Sequence, residues 1–453
     1  MNSRQKRFPV WFRLTLTLAV ALVWLAGGQV AEAQTDDEVN AAIQFNFVNP
    51  GARSLGLGGA FVGLADDATA AYTNPAGIVQ IRSPEVSAEA RGWRYTHRYA
   101  DSGHVNGTPT MVGVDTVSGL RVSEASNDVV GLSYLSVVYP VGERWSLAAY
   151  RHHLANFEAS FSTQGVFVGD LNELVRIRPV TTDLDLSVIN YGGAAAFELI
   201  PDRLSIGLGF AWSDFNLDAR TDRFAFDNPD FVGPGGFFGP RADDGTVINY
   251  QIQEGNDSAV SGNVGVLWKP NKNWQIGAVY RRGPEFDFEA LFFLAPSELI
   301  ETQTATFRLP DVAGIGVAYL GKERWKVVFD YNHVEYSVLT EDFVTFFDVP
   351  DPESYTVSDG NEYHLGIEYW LRQGRPDVYL RLGGWQEPEH QVQYEGVDPV
   401  QQTLWGIGND EAHLTVGFGL VFGGGKLEIN GAADFSDRVD TVSLSGVWRF
   451  GKL

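Results

Sequence analysis

The sequence predicts an all-β protein, an antiparallel transmembrane β-barrel of about fourteen strands. Three observations indicate this fold class. Stretches of about ten residues alternate apolar with polar side chains, the connections between them alternate between short and long, and the polar faces carry much Gly, Ala and Ser. The chain has 453 residues, of which 50 are Gly, 13% are aromatic and none is Cys, so no disulfide framework supports the fold.

Residues 1–33 have the three parts of a secretory signal peptide. A leader with four Arg and Lys residues precedes the apolar run Leu14–Leu25, and Ala31-Glu32-Ala33 forms a small-x-small cleavage site. The apolar run is shorter than the ~20 residues that a membrane-spanning helix needs, which argues against the alternative of an uncleaved anchor. We therefore expect the mature chain to begin at Gln34.

The stretch Gly51–Gly77 that follows is rich in Gly and Ala. Its charged residues are Arg53, Asp66 and Asp67, and it closes on Asn74-Pro75-Ala76-Gly77. Small residues let a backbone pack closely inside a confined space, but they make a poor free-standing domain.

The predicted strands show a side-chain period of two. In Leu204–Trp212 and Leu414–Phe422, every second residue is a large apolar one, and the residues between them are mostly Gly, Ala, Ser or Thr. Pro284 and Pro310 fall inside two of the strands and predict a bulge or kink there. Strands are expected near residues 85–95, 130–140, 144–154, 187–199, 203–217, 257–269, 273–291, 302–320, 324–340, 361–371, 376–386, 411–423, 425–436 and 439–450.

Short and long connections between these strands alternate along the chain. Bacterial barrels have short periplasmic turns and long external loops, whereas a soluble β protein has no reason to alternate in this way. The long connections are expected near residues 96–129, 155–186, 218–256, 341–360 and 387–410.

The Gly-rich stretch and an ordered set of local motifs resemble the FadL/TodX family of outer-membrane channels. The motifs include Ile276-Gly277-Ala278-Val279-Tyr280, Ile315-Gly316-Val317-Ala318-Tyr319 and Leu365-Gly366-Ile367-Glu368-Tyr369, and the resemblance covers roughly residues 45 to 450. It implies an N-terminal plug, or hatch, at residues 34–84 inside the lumen of a barrel formed by residues 85–453. It also implies a location in the outer membrane of a Gram-negative-type bacterium.

The function implied by this resemblance is passive uptake of hydrophobic small molecules, such as long-chain fatty acids or aromatic hydrocarbons. Capture would occur at external loops, and passage would lead past the plug. PorV-like barrels have a similar N-terminal motif and bind and shuttle secreted proteins, which gives the alternative function. A purely structural barrel is a third possibility.

Two polar features of the expected plug are candidate site residues. Pro75 restricts Asn74 to extended geometry, and the Asn74 side chain can bond nearby backbone groups, so Asn74, Pro75 and Ala76 are expected to hold the plug. The alternative is an ordinary rigid turn. Asp66 and Asp67 are expected to bind arginines of the barrel wall, or else to form an exposed turn.

Ligand capture is expected at two stretches that are unusually apolar for external loops, Phe224–Pro240 and Phe286–Ile300. Phe237, Phe238, Phe292 and Phe293 are the expected contact residues, because exposed apolar patches usually mark binding surfaces. The alternative is that the two loops cover each other as a cap.

No other chemistry is predicted. The eight His residues show no metal-ligand spacing, and His104, His390 and His413 stand isolated in the sequence. Nucleophile and phosphate-loop motifs are absent from the sequence, so we expect no catalytic residue, cofactor or metal. The net charge of −24 argues against nucleic acid. The expected partners are a hydrophobic small molecule and outer-membrane lipid, with a monomer favoured.

Overall fold

The computed structural model describes residues 48–105, 108–111, 115–168, 175–176, 179–224, 246–340, 354–405 and 408–451. The expected signal peptide therefore lies outside the described residues. The strands are β1 Glu85–His104, β2 Gly119–Val141, β3 Trp145–Ser162, β4 Phe167–Val168, β5 Val175–Arg176, β6 Val180–Ile200, β7 Leu204–Phe224, β8 Val247–Asn271, β9 Trp274–Arg281, β10 Glu285–Leu294, β11 Glu298–Arg308, β12 Val312–Lys322, β13 Trp325–Val334, β14 Tyr355–Thr356, β15 Gly360–Arg372, β16 Asp377–Glu387, β17 Gln393–Tyr394, β18 Glu411–Phe422, β19 Leu427–Phe435 and β20 Val439–Arg449.

The long strands form a closed antiparallel barrel. Consecutive wall strands pair with each other, and β1 closes the sheet by pairing with both β2 and β20, so that Glu85 lies opposite Val138 and Arg449. Strands β9 and β10 are two halves of one wall strand, as are β11 and β12, which gives a wall of 14 strands. The predicted fold class and strand number are confirmed.

The breaks in these two wall strands lie at the predicted prolines. Residues 282–284 separate β9 from β10, and residues 309–311 separate β11 from β12. Proline has no N–H to donate to the ladder. At this break the two wall strands are instead joined by a hydrogen bond that the Leu309 N–H donates to the Pro284 carbonyl at 3.0 Å. The kink expected from Pro284 and Pro310 is therefore present.

Several strands are longer than the sequence predicts. β2 begins at Gly119 rather than near residue 130, and β8 begins at Val247 rather than near residue 257. These extensions lie toward the long-loop end. In β2, residues 123–128 are polar except for Ala125, so the apolar-polar signal of a membrane strand ends there before the hydrogen-bond ladder does.

The stretch Phe286–Ile300 is not a loop, contrary to the prediction. It forms parts of β10 and β11, joined by a turn at residues 295–297. Part of the apolar run that suggested ligand capture is covered by a neighbouring strand, since Phe293 lies opposite Tyr250 of β8 and stacks on it. In Phe224–Pro240, Phe224 ends β7, and the rest, with Phe237 and Phe238, lies outside the described residues.

The outer surface of the barrel is apolar, whereas the inner surface carries both apolar and polar side chains. Val130, Leu208 and Phe210 are 80%, 65% and 65% exposed, and the residues between them on the same strands face inward. Large aromatic residues surround the short-turn end, as in the girdle of a membrane barrel; they are Tyr139, Trp145, Trp268, Trp274, Trp325 and Trp448. Every helix within the described part of the chain is too short or too polar to cross a membrane.

Candidate functional site

Residues 48–84, called here the N-terminal segment, lie against the inward-facing side chains of the wall. The segment contains two one-turn helices, α1 Ala52–Leu55 and α2 Ala70–Thr73, and a 3₁₀ helix at Pro75–Gln80. From Val48 to Val79 its residues are buried, except for the partly exposed Asp66. In such short helices most of the N–H groups have no acceptor within the helix itself.

Carboxylates of the wall accept hydrogen bonds from these backbone groups. One oxygen of Asp330 on β13 accepts from the N–H of Phe61 at 2.6 Å and of Val62 at 2.7 Å. On β1, Glu85 accepts from the N–H of Ala68 at 2.6 Å. These carboxyl oxygens satisfy N–H groups of irregular backbone that would otherwise be costly to bury.

Paired glycines bring the segment into direct contact with the wall backbone. A Cβ atom on Gly63 would lie 2.6 Å from the carbonyl carbon of Gly316 on β12. Gly58 has a φ of 67°, and a Cβ there would lie 2.7 Å from the backbone nitrogen of Gly384 on β16. The Gly-rich composition is therefore required on both sides of the contact.

Asn74, Pro75 and Ala76 connect the segment to two wall strands. Asn74 is extended, with φ −151° and ψ 98°, and its Nδ2 donates to the carbonyls of Val62 at 2.9 Å and of Val266 at 3.2 Å. Its Oδ1 accepts from the N–H of Ala76 at 3.2 Å, and the Ala76 carbonyl accepts from Ser205 Oγ at 2.8 Å. The geometry expected of this corner is present, and β7 and β8 hold it.

Asp66 and Asp67 were predicted to bind arginines of the barrel wall, but the arginine that they contact belongs to the N-terminal segment itself. Arg53 of the same segment lies 2.6 Å from Asp66 and 3.5 Å from Asp67, while the wall contributes Glu368 to Arg53 and Lys326 to Asp66. Burial alone would raise the pKa of Asp66, but Arg53 and Lys326 outweigh it and hold that pKa below its ordinary value. Burial raises the pKa of Asp67. The segment is thus linked to β13 and β15 by a mixed ion cluster.

On the long-loop side of the segment, the inner wall becomes apolar. Aromatic side chains dominate there, and Phe215 stacks on Phe286 with ring centroids 4.7 Å apart. Phe288 packs against this group and also against Ala290 and Phe292. The group is called the apolar lumen cluster and comprises Trp93, Tyr95, Val129, Phe157, Ala159, Phe161, Leu184, Leu186, Val188, Phe215, Leu217, Ala219, Phe286, Leu309 and Val439.

Beside this cluster the wall ladder between β2 and β3 is interrupted. The two strands, both fully described, pair only from Val141 with Trp145 to Tyr134 with His152. Beyond Tyr134, β2 continues to pair with β1, and β3 continues to pair with β6. The residue before Tyr134 is skipped in the β1–β2 register, as expected of a bulge that turns β2 away from its neighbour.

Side chains bridge this β2–β3 interval (residues 119–133 and 153–162) in place of the ladder. The N–H of Ser160 donates to Oδ1 of Asn127 at 3.3 Å, and Arg151 donates to the Leu132 carbonyl. Leu132 is 46% exposed on the outer surface, within the apolar belt. The interval therefore begins at the depth of the membrane, where backbone groups are ordinarily all paired.

A second inward-facing cluster was missed by the sequence reasoning, which treated His413 as isolated. Nε2 of His413 lies 3.0 Å from Glu387, and Nδ1 lies 3.0 Å from Asp434. The ligand atoms of Glu387, Glu411 and His413 lie within 4.8 Å of one another and are of types that bind divalent cations, although the carboxylates already engage both ring nitrogens. Only the register that sets Glu387 opposite Glu411 brings these residues together.

Comparison with known proteins gives the family and the fold. Residues 37–383 match the family model of the outer membrane protein transport proteins, OMPP1/FadL/TodX. No curated protein sequence matches the chain.

Solved structures share the fold at low sequence identity. A FadL homologue of Pseudomonas aeruginosa is 14% identical, with a TM-score of 0.60 over 90% of this chain and 99% of that one. The toluene transporters TodX of P. putida and TbuX of Ralstonia pickettii are 14% and 17% identical, with TM-scores of 0.57 and 0.53, over 90% of this chain and 100% of theirs.

Replacing Asp330 by Ala should loosen the N-terminal segment at Phe61 and Val62. Both N–H groups would lose an ionised acceptor, a loss of about 1.5–3 kcal/mol per bond, so their amide exchange should rise ~10- to 100-fold. Hydrogen–deuterium exchange on the purified barrel measures this. The control is Asp128→Ala, which removes a carboxylate that is 59% exposed and paired with Arg94. Unchanged protection in the Asp330 variant would show that this carboxylate does not hold the segment.

Proposed function

The chain belongs to the OMPP1/FadL/TodX family of outer-membrane channels for hydrophobic compounds, and from that membership we propose that it takes up hydrophobic small molecules passively. The proteins of this family are transport channels rather than enzymes and reside in the outer membrane. The similar structures include a FadL homologue and two toluene transporters, so long-chain fatty acids and aromatic hydrocarbons are the two substrate classes to consider for this chain.

The observation that carries the proposal is the β2–β3 interval beside the apolar lumen cluster. Unpaired backbone groups of strand edges cost free energy at the depth of the membrane. A barrel wall without a lateral exit would therefore be expected to have a continuous hydrogen-bond ladder between β2 and β3. Here only side chains such as Asn127 and Arg151 cross the interval. A rotamer change of these residues would widen it without breaking any ladder bond, which suits an exit for the ligand.

The proposed route begins at the long-loop end and leaves sideways through the wall. A ligand first contacts the apolar lumen cluster, whose Phe157 and Ala159 lie on the β3 edge of the interval. Moving on into lipid rather than into periplasmic water keeps the ligand's apolar surface buried, which is worth ~25 cal/mol per Å². The concentration difference across the membrane then suffices to drive uptake.

The proposal includes a plug, formed by residues 34–84, that closes the direct way through the lumen. Its support is the burial of residues 48–79 and the number of wall strands that bond to them. In this proposal Asn74, Pro75 and Ala76 fix the plug to β7 and β8, and Asp66 and Asp67 fix it through Arg53. A PorV-like protein-shuttling barrel has no need for an aromatic lumen lining, which is why the small-molecule channel is preferred.

Replacing Gly131 by Trp should obstruct the proposed exit. Gly131 lies on the inner face of β2, and a Cβ there would meet Asn156 and His153 of β3 at 3.9 Å, so the indole would fill the interval. Uptake of a radiolabelled hydrophobic compound by cells should fall about tenfold, the effect of a barrier only ~1.4 kcal/mol higher. The control is Gly446→Trp, since a Cβ on Gly446 meets open space. Equal uptake by the two variants would exclude the interval as the route.

Deleting residues 34–84 tests the plug. The strands satisfy one another's backbone groups without it, so the barrel should still fold and should conduct ions in planar bilayers, whereas the intact protein should conduct little. Equal conductance of the two forms would mean that the segment does not close the lumen. Failure of the shortened chain to fold would mean that the segment is instead part of the structural core.

The proposed capture residues Phe292 and Phe293 should differ in effect. Phe292 is 2% exposed and packs with Phe288 next to the apolar lumen cluster, whereas Phe293 stacks on Tyr250 at 4.7 Å on the opposite face of β10. The apolar contact that one such ring supplies is worth about 1.5–3 kcal/mol, so its loss in Phe292→Ser should weaken binding of a hydrophobic fluorescent probe at least ~10-fold. Phe293→Ser is the matched control. Similar affinity in both variants would remove Phe292 from capture, with Phe237 and Phe238 then left as the proposed capture residues.

A further inference from the structure

Four titratable side chains meet at the long-loop end of the lumen, where β16 ends and β18 begins. The register places Glu387 opposite Glu411, and His413 lies 3.0 Å from both Glu387 and Asp434. Each of the four residues is at most 7% exposed. Three buried carboxylates thus face one imidazole. Even a protonated ring would leave negative charge without a matching cation, which is costly at a buried site.

Arg438 approaches this cluster but does not balance its charge. Its backbone N–H donates to Oε1 of Glu411 at 2.6 Å, whereas its guanidinium lies 2.6 Å from an oxygen of Glu389. Among the described residues, no lysine or arginine side chain lies within ion-pair distance of Glu387, Glu411 or Asp434. The cluster therefore favours the binding of a cation from solution.

His413 is held in the way that metal-binding histidines are held. Its Nδ1–H donates to Oδ2 of Asp434 at 3.0 Å, and the indole N–H of Trp385 donates to the same oxygen at 3.3 Å. The indole also stacks on the imidazole, with ring centroids 3.9 Å apart. A carboxylate behind the ring fixes the tautomer and leaves the other nitrogen to the metal. That nitrogen, Nε2, is the one that faces Glu387.

The distances between the possible ligand atoms fit a metal ion. Nε2 of His413 lies 3.0 Å from Oε2 of Glu387, and the ligand atoms of Glu387, Glu411 and His413 all lie within 4.8 Å of one another. In a tetrahedral zinc site the ligands are ~2.0–2.1 Å from the ion, which places them about 3.3 Å from each other. An ion in place of the proton between Nε2 and Glu387 therefore requires only a small outward movement of the two side chains.

Two further atoms at this cluster are buried acceptors without a hydrogen-bond partner among the described residues, Oδ1 of Asp434 and Nε2 of His390. Nδ1 of His390 lies 3.1 Å from the Pro388 carbonyl, so this nitrogen carries the hydrogen and Nε2 has a free lone pair. His390 is near enough to Glu387 for the two side chains to interact electrostatically. Buried polar atoms ordinarily have a partner, and a bound cation would supply one.

We propose that Glu387, Glu411 and His413 bind a divalent transition-metal ion, with Zn²⁺ as the best fit. An imidazole nitrogen combined with carboxylate oxygens suits Zn²⁺, whereas Ca²⁺ and Mg²⁺ prefer oxygen ligands alone. Asp434 is a positioning residue, because it acts on the ion through His413. The ion neutralises the cluster and joins the two ends of the connection between β16 and β18. The site goes beyond the proposed function, since it does not depend on which molecule the channel carries.

The test is a calorimetric titration of the full-length protein, freed of metal by a chelator and kept in non-ionic detergent, with Zn²⁺ and separately with Ca²⁺. One Zn²⁺ per chain should bind, at least ~100-fold more tightly than Ca²⁺. His413→Gln should weaken Zn²⁺ binding at least ~100-fold, and Asp434→Asn should weaken it about 10- to 100-fold. His333→Gln is the matched control and should bind Zn²⁺ as the unmodified protein does, because His333 is an exposed histidine of β13 that contacts Asn361.

X-ray absorption at the zinc edge adds a readout that does not depend on affinity. The unmodified protein and Asp434→Asn should both show nitrogen and oxygen ligands at ~2.0–2.1 Å with the scattering of an imidazole ring. Absence of Zn²⁺ binding, equal affinity for Zn²⁺ and Ca²⁺, or unchanged Zn²⁺ affinity in His413→Gln would each overturn the proposal. If His413→Gln does not fold, as judged by heat-modifiable migration in gels, Glu411→Gln decides, and unchanged Zn²⁺ affinity in that variant would overturn it.

Discussion

The structure depends on how irregular backbone can be buried inside a closed sheet. The wall strands satisfy one another, but the N-terminal segment has short helices and bends whose N–H and C=O groups need partners from elsewhere. Inward-facing side chains supply them, from Glu85 and Asp330 for N–H groups to Ser205 for a carbonyl. The polar inner face beside the segment and the glycines that let the two backbones meet follow from this one requirement.

The lumen is consequently divided along its length. Where the segment lies, the inner wall offers hydrogen-bond acceptors, ion pairs and glycines as well as apolar side chains such as Tyr134 and Val328. Where the segment ends, the inner wall becomes aromatic and aliphatic, with Phe215 and Phe286 in its centre. The β2–β3 interval lies near this boundary, so the proposed exit is adjacent to the apolar lumen cluster.

Sequence reasoning succeeded where the signal is local. Alternation of side chains along single strands gives the all-β wall, and Pro284 and Pro310 give its kinks. It failed where the information lies in register between strands. Phe286–Ile300 was expected to be an exposed external loop because the sequence does not show that β8 pairs with part of this stretch, and His413 looked isolated because Glu387 and Asp434 approach it across the sheet. The β2–β3 interval was not predicted, because residues 119–129 and 155–162 were read as parts of long connections rather than as strands.

The order of hydrogen-bond partners along the chain has a consequence for biogenesis. Ala52 bonds to Ser445, 393 residues away, and Gly58 bonds to Thr415, 357 residues away. Contacts of such sequence separation form late, because the intervening chain must first be brought together. The N-terminal segment is synthesised before these two partners, which lie on β20 and β18. Its contacts with the wall can therefore be completed only after the last strands have been made, so the part of the fold that precedes the wall in the sequence is completed after it.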